Sequence, residues 1–163
     1  MSHSVDAKAA IWAGIIAGLV FMMLEMVLVG TVGGESPWGP PRMIAAMAMG
    51  DGVLPPPATF DMGIMMVAMM IHLVLSIILG LVLGWAISQW RMSLVTAIIT
   101  GTVFGLLIYF VNFYLMTGIF PWFAMARGGI SIFAHAMFGL VLGWAYHAIA
   151  TRGGAEESTR AAV

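Results

Sequence analysis

The sequence is poor in charge and contains no cysteine. Charged residues make up 8% of the 163 residues, against about 25% in soluble globular domains. So few charges cannot cover a surface that faces water, and we expect lipid to be the main solvent. The absence of cysteine excludes disulfides, thiolate metal sites, iron–sulfur clusters and cysteine nucleophiles.

Basic residues and enzyme motifs are scarce as well. The formal net charge is −1, and the six Lys and Arg residues form no cluster that could neutralise a phosphate backbone. A nucleic-acid partner is therefore not expected. The sequence has no phosphate loop, no G-x-S-x-G, no H-E-x-x-H and no dinucleotide fingerprint. We accordingly do not expect an enzyme.

What the sequence does contain is four long apolar runs, at 9–32, 62–88, 92–117 and 130–150. Each reaches the roughly 20 residues that an α-helix needs to span hydrocarbon. The predicted fold class is an all-α integral membrane protein, a four-helix transmembrane bundle in the lipid bilayer. The predicted connecting segments are an N-terminal tail (1–8), an outer loop (33–61), an inner turn (89–91), an outer Pro-Trp loop (118–129) and a polar C-terminal tail (151–163), which we expect to be disordered.

The outer loop 33–61 carries its own helix signal. Prolines up to Pro41 precede the run 42–49, and Gly50 follows it. Proline at the start and glycine just past the end bracket a short helix. We expect this helix to lie on the membrane surface.

Positive charge predicts the orientation of the bundle. Lys8, Arg91, Arg152 and Arg160 fall on one side of the predicted spans, and Arg42 and Arg127 fall on the other. Because Lys and Arg are enriched in cytoplasmic segments, both termini are predicted to be cytoplasmic.

The two predicted hairpins resemble each other in sequence. The second and fourth runs both contain Gly-Leu-Val-Leu-Gly-Trp-Ala, at 80–86 and 139–145. Each repeat has two spans, so the copies are predicted to insert in the same orientation, related by a pseudo-twofold axis along the membrane normal. Glycines spaced four apart recur in every span and predict close helix packing in lipid. They are Gly14, Gly18, Gly80, Gly84, Gly101, Gly105, Gly139 and Gly143.

Polar residues fall at matching positions of this repeat. Aligning the hairpins sets Glu25 opposite Asn112, and a His-x3-Ser in the second span opposite a Ser-x3-His in the fourth. Residues four apart share a helix face, and the glycines lie mostly in the inner half. The predicted bundle is therefore tightly packed in its inner, cytoplasmic half and has a polar pocket in its outer half. The pocket candidates are Glu25, His72, Ser76, Asn112, Ser131 and His135, and the candidates for a lid over it are Trp38, Arg42, Trp122 and Arg127.

These motifs carry a family resemblance. The His-x3-Ser, the Ser-x3-His, the Pro-Trp before the fourth span and the four-span plan resemble the YagU-like family of small bacterial inner-membrane proteins. The resemblance implies a location in the bacterial inner membrane and a four-span fold. It also implies a link to acid tolerance.

Glu25 is the strongest candidate for a functional residue. A carboxylate in hydrocarbon costs roughly 2.5–3.5 kcal/mol on insertion scales, and by default it marks a functional site. The structural alternative is a hydrogen-bonded glutamate that locks the first helix to a histidine.

His72 and His135 admit three interpretations. They could carry protons together with Glu25, ligate a b-type haem, or form a two-His, one-carboxylate metal site with Glu25. The repeat sets the two histidines about 5.4 Å apart in depth, which disfavours haem, and no further metal ligand is visible. We therefore expect no cofactor. The sixteen methionines suggest Cu(I), but packing is the favoured interpretation.

The predicted function is the handling of protons, a small cation or a small solute in the outer-half pocket. Glu25 would act as a protonatable gate, and His72 and His135 as a relay or ligand pair. The alternatives are a b-type haem electron-transfer bundle and a non-catalytic accessory or assembly subunit in which the pocket is a polar lock. Glycines on every span also leave homo-oligomerisation or a larger membrane complex open.

Overall fold

A computed structural model describes the backbone of residues 5–161 and the side chains of residues 5–153. This part of the chain contains five α-helices and no strand. The helices are α1 (Ala7–Thr31), α2 (Gly39–Met49), α3 (Met62–Gln89), α4 (Leu94–Phe110) and α5 (Gly129–Ala161).

Four segments are long and apolar enough to cross a membrane, at Ala7–Thr31, Met62–Gln89, Leu94–Gly118 and Gly129–Gly153. The predicted all-α four-helix bundle is therefore confirmed. The third segment runs beyond α4 through a π-helical turn, Val111–Leu115, and a 3₁₀ turn, Met116–Gly118. Large apolar side chains lie exposed along all four segments, as expected where the solvent is lipid.

The helix bounds differ from the predicted runs mainly at the C-terminal end. The sequence predicts a disordered polar tail after Ala150, but α5 continues to Ala161. Ala155, Glu156 and Glu157 in the added segment are good helix formers, whereas Gly153 and Gly154 are poor ones.

The short helix predicted in the loop 33–61 is present as α2. Pro40 and Pro41 lie in its first turn, and Gly50, with φ of +81°, ends it. A positive φ is readily adopted by glycine, which explains why the helix stops there. α2 packs against α3 and also contacts α1 and the 3₁₀ helix Pro121–Ala126.

The four long helices pair unequally. Since the bundle has an even number of spans, the start of α1 lies at the same end as the turn between α3 and α4, here called the terminal side. α2 and the 3₁₀ helix Pro121–Ala126 lie at the opposite end, the loop side. α1 packs on α3 and α5, and α4 packs on α5, whereas α3 and α4 hardly touch.

Glycines allow the paired helices to approach backbone to backbone. A Cβ added to Gly14 would lie 2.6 Å from the Ser76 carbonyl oxygen, and one on Gly80 would lie 2.6 Å from the Ala10 carbonyl oxygen. Between α4 and α5, a Cβ on Gly105 would collide with the backbone carbonyl of His135. Only glycine fits at these contacts without moving a helix.

The terminal half of the bundle is filled by small and apolar side chains. Its buried cluster combines alanines of α1 with Leu83, Leu142 and Tyr146. The Tyr146 hydroxyl lies 2.5 Å from Ser88 Oγ and accepts a hydrogen bond from the Asp6 backbone N–H at 3.2 Å. These contacts join α1, α3 and α5 at the terminal side.

The glycine contacts generate a stability prediction. Gly105→Ala should lower the free energy of unfolding by about 1–3 kcal/mol, because the new methyl group forces α4 away from α5. Thermal unfolding in detergent measures this. Gly39→Ala is the matched control, since a Cβ there meets nothing within 4 Å. Equal melting temperatures for the two variants would contradict the close packing of α4 and α5.

Candidate ligand-binding site

A cavity of about 740 Å³ lies in the loop half of the bundle, between α3 and α4. This volume is within the roughly 300–1,000 Å³ that is typical of small-molecule sites. α1 and α5 form its floor, and Met43, Ile44 and Met47 of α2 cover it on the loop side. Its lining is mostly apolar, with a few polar groups gathered on the floor.

Glu25 is the charged residue on this floor. It follows Phe21 and precedes Val29 by one turn each, so that all three point to the cavity from one face of α1. Its side chain is only 5% exposed. The carboxyl group interacts with the Ser131 side chain. Its Oε1 atom is buried and, among the described residues, has no hydrogen-bond partner.

His72 is held against α1. Its Nε2–H donates a hydrogen bond of 2.8 Å to the Gly18 carbonyl oxygen, which assigns the proton to Nε2. The imidazole also stacks on Phe21, with ring centroids 5.3 Å apart. Ser76, one turn further along α3, is buried beside Gly18.

His135 is hydrogen-bonded through both ring nitrogens. Its Nδ1–H donates to the Ser131 carbonyl oxygen at 2.7 Å, and the Asn112 amide nitrogen donates to Nε2 at 3.4 Å. This arrangement requires a neutral imidazole, because Nε2 must offer a lone pair. Asn112 is half-buried and lies in the π-helical turn that follows α4.

Aromatic rings surround the polar groups. Phe21 contacts both imidazoles, since its ring centroid is 4.7 Å from that of His135 as well as 5.3 Å from that of His72. Tyr109 and Phe113 also pack edge-on against His135. The phenylalanines that line the cavity are Phe21, Phe104, Phe113, Phe123 and Phe138.

Of the four predicted lid residues, only Arg127 lines the cavity. Its Nε donates to the Phe113 carbonyl oxygen at 2.6 Å, and its guanidinium lies 4.5 Å from the centre of the Tyr114 ring. Arg42 instead donates to the carbonyl oxygens of Val53 and Thr59, and so holds the loop that leads into α3.

The two predicted lid tryptophans fasten loops rather than face the cavity. Trp38 packs against Phe60, with ring centroids 4.9 Å apart. Trp122 donates from Nε1 to the Met43 carbonyl oxygen at 3.0 Å. This bond ties α2 to the Pro121–Ala126 helix across the loop side of the cavity.

The histidines do not fit a haem or a shared metal. Haem ligation needs both imidazoles to present a free nitrogen to one iron, but both ring nitrogens of His135 are already hydrogen-bonded within the protein and Phe21 packs against both rings. Among the residues whose side chains are described, no three His, Asp or Glu groups come together to hold a metal ion.

Two contributors to the site were missed in the sequence. Phe21 lies three residues after Gly18 and four before Glu25, so the helical spacing alone could have placed it on their face. The α2 roof could not have been found in this way, because its position depends on how the loop folds back over α3.

Together these features define a class: a small polytopic all-α membrane protein with an apolar cavity that has a polar floor. Comparison with protein-family models, with curated proteins and with solved structures finds no match to the chain.

The orphaned Glu25 oxygen generates a second stability prediction. Glu25→Met should preserve or raise the melting temperature, since an unsatisfied buried acceptor costs about 1–3 kcal/mol. His72→Ala should lower it, because this change removes the bond to Gly18 and leaves a void. Thermal unfolding in detergent compares the two variants. A loss of stability in Glu25→Met as large as that in His72→Ala would show that the carboxyl group is a structural lock.

Proposed function

We propose that this polytopic membrane protein binds a small organic cation in the cavity between α3 and α4, with Glu25 as the counter-charge. The observation that carries the proposal is the buried carboxyl group whose Oε1 atom has no hydrogen-bond partner within the part of the chain that the structure describes. Burying a carboxyl oxygen without a partner is unfavourable. A ligand that brings a positive charge and an N–H donor would supply the missing partner.

The surroundings of Glu25 suit an organic cation better than a bare metal ion. Inorganic cations such as Mg²⁺ and Ca²⁺ are bound by several oxygen ligands, and the cavity floor offers few beyond the carboxyl group. Its lining instead contains five phenylalanines, and the face of an aromatic ring attracts an ammonium group when water is excluded. The Asn112 amide oxygen adds a further hydrogen-bond acceptor in the lining.

The packing favours binding over open conduction. Toward the terminal side, the cavity ends at Phe21, Leu79, Phe104 and Phe138. Beyond these residues the buried side chains are chiefly Ala, Leu and Ile. In the arrangement described, no chain of polar side chains leads from Glu25 to the terminal side. Transport of protons or solute through the bundle would therefore require the glycine-packed half to separate.

We also place the protein, as part of this proposal, in a bacterial inner membrane with both termini in the cytoplasm. The distribution of Lys and Arg supports this orientation, and the likeness to YagU-like proteins supports the location. The cavity would then lie nearer the outer face of that membrane.

The proposal predicts charge-selective binding. Phenethylammonium should raise the melting temperature of the purified protein, whereas phenethyl alcohol and phenylacetate, which have the same ring but no positive charge, should not. Glu25→Gln should weaken phenethylammonium binding by about tenfold or more, because it removes a largely desolvated counter-charge. Thermal shift and isothermal titration calorimetry measure both effects.

The matched control for this experiment is Glu35→Gln. Glu35 also borders the cavity, but its side chain is exposed, so the variant should bind phenethylammonium as the wild type does. Equal binding by wild type and Glu25→Gln, or stabilisation by all three probes alike, would overturn the proposal.

A further inference from the structure

One side of the cavity opens to the outside of the bundle. α3 and α4 are the two long helices that hardly touch, and the cavity lies in the gap between them. Leu75 of α3 and Leu107 of α4 both line it, yet they are 43% and 58% exposed. These leucines therefore border an opening in the side of the bundle, here called the lateral mouth.

The lateral mouth lies at the depth of the lipid chains. Leu75 is in the middle of α3, and Leu107 is in the middle of the third span, Leu94–Gly118. The middle of a membrane-spanning helix is surrounded by hydrocarbon. The other residues at the mouth, Ile78 and Val111, are apolar and exposed as well. A molecule that passes between these side chains comes from the bilayer.

By contrast, the cavity is covered on its loop side. Met43, Ile44 and Met47 of α2 lie across it, and the hydrogen bond from Trp122 to the Met43 carbonyl oxygen ties this cover to the opposite side of the cavity. The apolar lining favours a ligand with a large apolar part, and the unpartnered Glu25 oxygen favours a positively charged head group.

We infer that the ligand is an amphiphilic amine dissolved in the bilayer, which enters through the lateral mouth. Its ammonium group pairs with Glu25, and its apolar chain extends between Leu75 and Leu107 into the lipid. This inference rests on the proposed function, because it specifies the class and the route of the cation that Glu25 binds. A second copy of the chain packed into the gap between α3 and α4 is the competing occupant.

The test compares a long and a short ligand with the same head group. The protein is placed in phosphatidylcholine nanodiscs, and hexadecylammonium, expressed as a mole fraction of the lipid, displaces radiolabelled phenethylammonium. Leu107→Trp and Leu75→Trp narrow the mouth and should weaken hexadecylammonium binding by about tenfold or more. Both should weaken phenethylammonium binding far less than hexadecylammonium binding, because the short ligand does not extend through the mouth. Thermal unfolding of the variants shows that they are folded.

Ile99→Trp and Val82→Trp are the matched controls. Both residues are exposed on the same two helices and do not line the cavity, so both variants should bind hexadecylammonium as the wild type does. The inference is overturned if hexadecylammonium binds the mouth variants and the wild type equally well, or if control and mouth variants weaken it alike.

The remaining outcomes separate the two proposals. If phenethylammonium binds through Glu25 but the mouth variants have no effect, the cation site stands and the lateral route is wrong. If the mouth variants change only the oligomeric state, measured by chemical crosslinking in the nanodisc, a second copy fills the gap and the inference is wrong. If phenethylammonium does not bind at all, both proposals are wrong.

Discussion

Backbone-to-backbone contact at glycines is the constraint on which the rest of this structure depends. Lipid offers no hydrophobic force that would drive helices together, so contact must come from close packing. Gly14 and Gly80 bring α1 against α3, and Gly105 brings α4 against α5. Because α1 also packs on α5, these two helices join the pairs, and α3 and α4 remain apart. The cavity is the space that this pairing leaves in the loop half.

The polar groups on the cavity floor have different roles although they lie close together. His72 through Nε2 and His135 through both ring nitrogens make hydrogen bonds within the bundle, and these bonds help to fix the positions of the helices. Glu25 has an oxygen without a hydrogen-bond partner among the side chains and backbone that the structure describes. A buried group left unsatisfied in an otherwise satisfied network is the natural place for a ligand to bind. For this reason we propose the carboxyl group, and not the histidines, as the group that binds the ligand.

Much of the fold could be predicted because membrane helices follow directly from composition. Apolar runs of sufficient length gave all four spans, and proline and glycine bracketed α2. The site was predictable only in part. Helical spacing placed Glu25, His72 and His135 on inward faces, but it could not show that Trp38 and Trp122 hold loops instead of facing the cavity. Such contacts join residues far apart in sequence, as the bond from Trp122 to Met43 does.

The sequence by itself determined that this chain spans a membrane four times, which helix faces are small or polar, and that a carboxyl group lies within a span. It could do so because these are local properties of length, composition and spacing. Only the tertiary structure decided that α3 and α4 stand apart, that a Glu25 oxygen has no partner among the described residues and that Leu75 and Leu107, which line the cavity, are exposed. These properties depend on which helices touch, and that follows from the packing of all four together.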